Sequence, residues 1–236
     1  LAVTAPKAHT WTIVVPTETN LKLRDHEYKL ASRIRLGLKP IDMLGSRCRA
    51  CDAHVKNDES HFLSCNSKLT IPMTLRHNLV VKAVSSLIEL AGGVHREEPT
   101  HLDFQHSKST FKRTDIEALV GNNHYLLDVS IITPTNPSAI KCRRSAKEQL
   151  GAAKSVAISK IQKHRENAEY VQAKFIPFII ESHGGIIPEC KNFLSALKYY
   201  AGDNVSPSSN ARLESLLYTS IAIAVQRGNA LMLKKC

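Results

Sequence analysis

No run of about eighteen or more apolar residues occurs in the chain, which excludes a helix that crosses a bilayer. The opening LAVTAPKAHTWTIVVPTETN lacks the basic start and long apolar centre of a secretory leader, and beginning at Leu1 rather than Met suggests a fragment or processed piece. Aromatic residues make up only 6% of the 236 positions, with one Trp. The Cys count of 6 is too uneven for a disulfide framework: Cys48, Cys51 and Cys65 cluster, while Cys142, Cys190 and Cys236 are scattered. That distribution suits a metal site in a reducing compartment. No Gly-x-Ser-x-Gly elbow is present, which argues against a serine hydrolase, and no internal repeat points to a solenoid. Acidic residues are the other shortage. Against Lys+Arg 32 stand Asp+Glu 21, a net charge of +11, and such an excess favours a polyanionic partner because each phosphate neutralised releases counterions.

The pattern along the chain predicts a mixed α/β protein. Residues 1–24 show no sustained periodicity and are expected to wrap or trail. Tyr28, Leu30, Ile34 and Leu38 fall near helical spacing over 26–38, and Leu75, Leu79, Ala83, Leu87 and Leu90 mark a longer helix over 74–91 that Gly92-Gly93 should stop. Strands are predicted over 94–98, 111–120 and 124–132, with Gly121-Asn122 as a hairpin turn. A helical stretch over 140–170 follows, with Gly151 a candidate break. KFIPFIIE reads as a fourth strand over 174–181, and helices over 190–201 and 213–233 complete the order. The expected division is a linker and helix over 1–45, a finger over 46–69, a core over 70–205 and a C-terminal helix over 206–236.

The cysteine cluster reads Cys48-x2-Cys51-x9-His61-x3-Cys65. Zinc takes four tetrahedral S or N ligands, and two short-spaced pairs bracketing a loop supply them without an apolar core. The x2 spacing lets Cys48 and Cys51 reach one ion from a tight turn, and His61 and Cys65 lie one helical turn apart. His54 is a competing ligand. A structural zinc is therefore expected.

The passage KRTDIEALVGNNHYLLDVSIITPT holds the acids that matter. If Val120 pairs with Asn123 across the turn, counting back places Asp115 opposite Asp128, on the face away from Ile116, Ala118, Val120, Leu127, Val129 and Ile131. Two carboxylates so placed repel, and Mg²⁺ or Mn²⁺ is the usual partner that keeps both ionised. The plainer alternative is a pair of exposed aspartates matched with nearby bases. Glu117, two residues after Asp115, is a further candidate acid. Phosphodiester hydrolysis also needs a cation near the developing charge. On a helix whose apolar stripe is Ala146, Leu150, Ala153, Ala157 and Ile161, Lys160 lies about 40° from Ala146 and Lys163 about 100°, so Lys160 is the first choice and Lys163 the second. Arg76, His77, Lys112, Arg113, Arg143 and Arg144 are candidate phosphate contacts.

In combination, the Cys-x2-Cys and His-x3-Cys pairs, Arg76-His77, Arg113-Thr114-Asp115 and Leu127-Asp128-Val129-Ser130 resemble the C-terminal region of non-LTR retrotransposon polyproteins. LASRIRLGL, PTNPS, FIPFIIESHGG and VQRGNA extend the resemblance over about residues 28–233. It implies a restriction-endonuclease-like αβββαβ core of the PD-(D/E)xK type, with an N-terminal CCHC zinc finger and C-terminal helices. It further implies that Asp115 and Asp128 bind the catalytic Mg²⁺ or Mn²⁺ and that a helical lysine assists. The partner would be double-stranded target DNA, with element RNA as a second ligand, no membrane, and a nuclear location. The nick would prime reverse transcription. Two positions depart from the family pattern: Thr114 stands where the family has proline, and His164 where it has tyrosine. A rival expectation is a binding module whose nuclease centre has decayed.

Overall fold

The computed structural model describes residues 2–13, 19–40, 47–55, 61–65, 71–99, 113–142, 145–202 and 207–235. Among these, seven α-helices surround one four-stranded mixed sheet. Three short 3-10 turns, Ala2–Thr4, Thr10–Thr12 and Thr19–Leu21, precede α1 (Asp25–Arg35). Then come α2 (His61–Ser64), α3 (Ile71–Leu90), β1 (Val94–Glu97), β2 (Ile116–Val120), β3 (Asn123–Ile132), α4 (Pro137–Cys142), α5 (Gly151–Tyr170), β4 (Lys174–Glu181), α6 (Pro188–Gly202) and α7 (Pro207–Lys235). The predicted order of helix, three strands, helix and strand is therefore present. No helix among the described residues is long and apolar enough to cross a membrane.

The sheet runs β1-β2-β3-β4, with the first three strands antiparallel and β4 parallel to β3. The hairpin register is the expected one, Val120 pairing with Asn123 and Ile116 with Leu127. Gly121 alone carries the positive φ, +55°, of a type II′ turn, and a Cβ there would meet the Tyr200 ring at 2.3 Å. Pro177 is tolerated in β4 because an edge strand does not need every N–H.

Alternation assigns the two faces. Ile116, Ala118 and Val120 share a face with Tyr125, Leu127 and Val129, and all six are buried in the main core. Phe193 of α6 packs edge-on against Tyr125 and Phe178 there, with centroids 5.2 and 6.2 Å away. Val80, Val84, Leu87 and Ile88 of α3 bury into the same core. Gly93 lets the chain leave α3 so close to the sheet that a Cβ would sit 2.9 Å from Ile88 and Val120 side chains. The other face, with Leu126 and Asp128, is covered by α5, whose His164 stacks on Phe175 at 4.8 Å. Neither face of β3 is left to solvent.

The helical stretch predicted over 140–170 is interrupted. It divides into α4 and α5, and residues 145–150 form turns. Leu150 adopts φ +61°, at a cost of about 1 kcal/mol, and offsets it by burying its side chain in the core. Ala146 is thus exposed in a turn and does not extend the apolar stripe. The strand predicted from 111 begins at Ile116; residues 111 and 112 lie outside the described residues. The N-terminal segment wraps, with Trp11 and Leu23 buried against Ala222 and Ile223 of α7. From the C-terminal side, α7 places Leu217, Tyr218, Ile221 and Val225 in the main core.

Candidate functional site

The first constellation is the cysteine cluster. Residues Cys48 to Asp52 turn tightly: Asp52 N–H donates to the Cys48 carbonyl and Cys48 N–H to the Ala53 carbonyl, while Arg47 bridges to His54. His61 opens the single turn of α2 and Cys65 follows it, so both pairs face each other as their spacing requires. The ligand atoms of Cys48, Cys51, His61 and Cys65 all lie within 4.8 Å of one another. Cys48 Sγ is 3.7 Å from Cys65 Sγ, and Cys51 Sγ is 3.2 Å from His61 Nε2. Burial pushes the Cys48 thiol up, but hydrogen bonds from the Ala50 and Cys51 backbone and the neighbouring thiols outweigh it and bring it down to about 6. A ready thiolate in a Cys3His set is the donor chemistry of a tetrahedral zinc site, and the four residues fit that ion. His54 stays outside the cluster.

The second constellation lies on β3. Lys160 Nζ donates to Asp128 Oδ2 at 2.6 Å, and His164 Nε2 is 3.1 Å from the same oxygen, within ion-pair reach but off the hydrogen-bond direction. Asp128 is 7% exposed and His164 only 1%. Burial pushes the Asp128 carboxyl up, yet His164 and Lys160 together hold it down at about 2. Lys160 and His164 share a face of α5 because they are four residues apart. Lys163, about 60° round that helix from Lys160, is exposed.

Asp115 corrects one expectation. It does not pair with Asp128 across the ladder, because its N–H donates to the Leu127 carbonyl at 2.9 Å while Ile116 is already the partner of Leu127. Two residues opposite one is the geometry of a β-bulge, which re-aims the side chain. The carboxylate turns towards α3: His77 Nε2 is 3.2 Å from Asp115 Oδ2, which also accepts the Val129 N–H at 2.6 Å. The His77 pKa is raised by its hydrogen bond to Asp115, against burial and with help from the Val129 carbonyl. The two acids therefore flank the Asp128–Val129 peptide from opposite sides instead of sharing one face. Lys160, with His164 beside it, holds the Asp128 carboxyl down, so a divalent ion is not required to keep it ionised.

The remaining candidates divide. Arg76 is no surface cation: it is 2% exposed between α3 and α7, and its Nη1 donates to Asn229 Oδ1 at 3.2 Å. Burial lowers its pKa to about 10. Glu117 is bonded to His124 Nε2 at 3.0 Å and stands apart from the acids. Arg113 is exposed just before Asp115, whereas Lys112, Arg143 and Arg144 lie outside the described residues. The position of His77 beside Asp115 went unforeseen, since a bulge leaves no mark in the alternation.

Compared with family models and with curated proteins, the sequence matches none of them. Among the described residues, only the Cys3His set gathers three or more metal-type ligands. The carboxylate centre is chemically different. It offers two acids around one peptide, a lysine ammonium held against one of them, and an imidazole on each.

Proposed function

We propose that the chain binds nucleic acid and cuts double-stranded DNA by phosphodiester hydrolysis at the Asp115–Asp128–Lys160 centre, as the restriction-endonuclease-like tail of a non-LTR element. The observation that carries this reading is the 2.6 Å approach of Lys160 Nζ to Asp128 Oδ2, one peptide away from a second carboxylate. The net charge of +11 supports a polyanionic substrate, and the zinc-compatible knuckle supports a nucleic-acid context.

Every contact that the described residues make to either acid uses Oδ2; Asp128 Oδ1, beside Lys160, is the hard oxygen donor that would hold Mg²⁺ or Mn²⁺, while Asp115 supports the same peptide from its other side. Such an ion supplies charge for a phosphate oxygen and lowers the pKa of a bound water. Lys160 provides a fixed ammonium beside the reacting phosphate, where it stabilises developing negative charge. His164 clamps Asp128 from inside the fold, and His77 with the Val129 N–H sets the orientation of Asp115. The proposed setting is nuclear, at a chromosomal target.

One observation favours the rival reading of a binding module that no longer cuts: Asp128 is nine-tenths covered and already paired with two nitrogens. A plasmid-nicking assay with Mg²⁺ decides between them. Nicking by wild type that disappears in Asp128→Ala supports the nuclease; equal activity in both removes it.

A further inference from the structure

We propose that a cationic depression between α1 and the end of α7 is a second nucleic-acid site, one that grips backbone phosphate away from the carboxylate centre. The depression holds about 210 Å³ and is ringed by His26, Lys29 and Arg33 of α1 and Lys234 of α7. Leu30, Ala230 and Leu233 form its floor. His26, Lys29 and Arg33 are three and four residues apart, so they rise from one helical face. No carboxylate lines the depression among the described residues. The acid nearest in sequence on the inner side of α1, Glu27, is buried and accepts the Arg24 N–H at 2.8 Å. Arg33 Nε donates to the Lys39 carbonyl at 2.5 Å, which fixes the guanidinium and leaves its other nitrogens to a ligand.

Helix stability accounts for only part of this arrangement: Asp25 stands one turn before Lys29 as a favourable pair. Arg33 and Lys234 lie in the last turns of their helices, where positive charge suits the dipole, but Lys29 lies mid-helix, beyond the reach of either end. Lys29 and Arg33 also repel as like charges one turn apart. A ligand with negative charge and some apolar surface answers both features, and a sugar-phosphate backbone has both. The location agrees: Phe62 and Leu63, which follow zinc-ligand candidate His61, pack on Leu30, Ala230 and Met232 in one cluster. The floor of the depression thus shares an apolar cluster with α2, the helix of the knuckle's second ligand pair, and the knuckle's first turn exposes Arg49.

The inference is independent of cutting and is tested without it. Anisotropy of a labelled random-sequence duplex is measured with the full chain in the absence of added magnesium, over a range of salt. For K29E/R33E the affinity should fall at least about 10-fold, and the slope of log K against log salt should fall by about 2, as expected for roughly 0.9 per phosphate contact. A control pair, K82E/K191E, carries the same charge change elsewhere and should lower the slope by less than half as much. Equal losses in the two pairs would overturn the site. Polyglutamate that binds as tightly as the duplex, with the same dependence on Lys29 and Arg33, would overturn nucleic acid as the ligand. Should K29E/R33E lose its fold, acetylation of Lys29 in the wild type serves instead: protection by duplex supports the site, and unchanged labelling overturns it.

Discussion

Lys160 Nζ and Asp128 Oδ2 lie 2.6 Å apart, with His164 Nε2 on the same oxygen at 3.1 Å. One buried carboxylate thus joins β3 to α5 through two residues one helical turn apart. If Lys160 stabilises charge on the phosphate, Lys160→Met should reduce plasmid nicking by about 10²–10³-fold, the range for removing one electrostatic donor. Lys163→Met should stay within about 3-fold, because Lys163 is exposed while Lys160 is the lysine that contacts Asp128. Nicking rates on supercoiled plasmid, with zinc content and thermal midpoint matched to wild type, measure both. Equal losses would show that the effect is bulk positive charge.

The same contact predicts a pH dependence of folding. The Asp128 carboxyl is lowered from 3.8 to about 2, so the native state holds fewer protons than the unfolded chain between those values. The stabilisation is complete above about 4 and is lost as pH falls towards 2, and it is worth roughly 2 kcal/mol. Denaturant midpoints in that window should drop steeply for wild type and more shallowly for Asp128→Asn, which is less stable at neutral pH because Lys160 and His164 lose their partner.

Much of the architecture was legible because the deciding residues are local. Gly121-Asn122 fixed the hairpin, and alternation from Ile116 to Val120 and from Tyr125 to Val129 assigned the buried face. The Cys3His cluster was legible for the same reason, each pair being held by its own turn. What escaped depended on the third dimension. The bulge at Asp115 turns it towards His77, a residue far away in sequence, and no count along the hairpin reveals it. Arg76 looked like a surface cation until α7 covered it, with Gly228 leaving room for its stem: a Cβ there would lie 2.3 Å from Arg76 Cγ. Helical phase did place Lys160 towards the sheet even though α5 starts later than expected, because the phase is set by Ala153 and Ala157.

The knuckle carries its own prediction. Its described part contributes only a small cluster, Cys48, Val55 and Cys65 with Ala50 against them, too little apolar surface to order it without an ion. One zinc per chain should be found by metal analysis. Cys65→Ser should lose it, and His54→Ala should keep it, because His54 stands outside the ligand cluster. A strong chelator should lower the thermal midpoint and expose the thiols to alkylation. Retention of zinc by Cys65→Ser would move the ion elsewhere.

Glu181 points to a built-in weakness. It ends β4 opposite Ile132, is 1% exposed, and its Oε2 meets no hydrogen-bond donor among the described residues. Burial pushes its carboxyl up from 4.5 to about 7, so the native state holds a proton that the unfolded chain gives up between those values. Stability should therefore fall as pH rises from about 4.5 to 7 and level off above, a loss of roughly 3 kcal/mol. Glu181→Gln keeps the shape and removes the charge. At pH 8 it should raise the thermal midpoint by about 2–4 °C for each kcal/mol recovered, and at pH 4 it should change little. Calorimetry of the two proteins at both pH values measures the difference. A gain of equal size at pH 4 and pH 8 would mean that the glutamine finds a new hydrogen bond, and that the buried acid is not what destabilises the native chain.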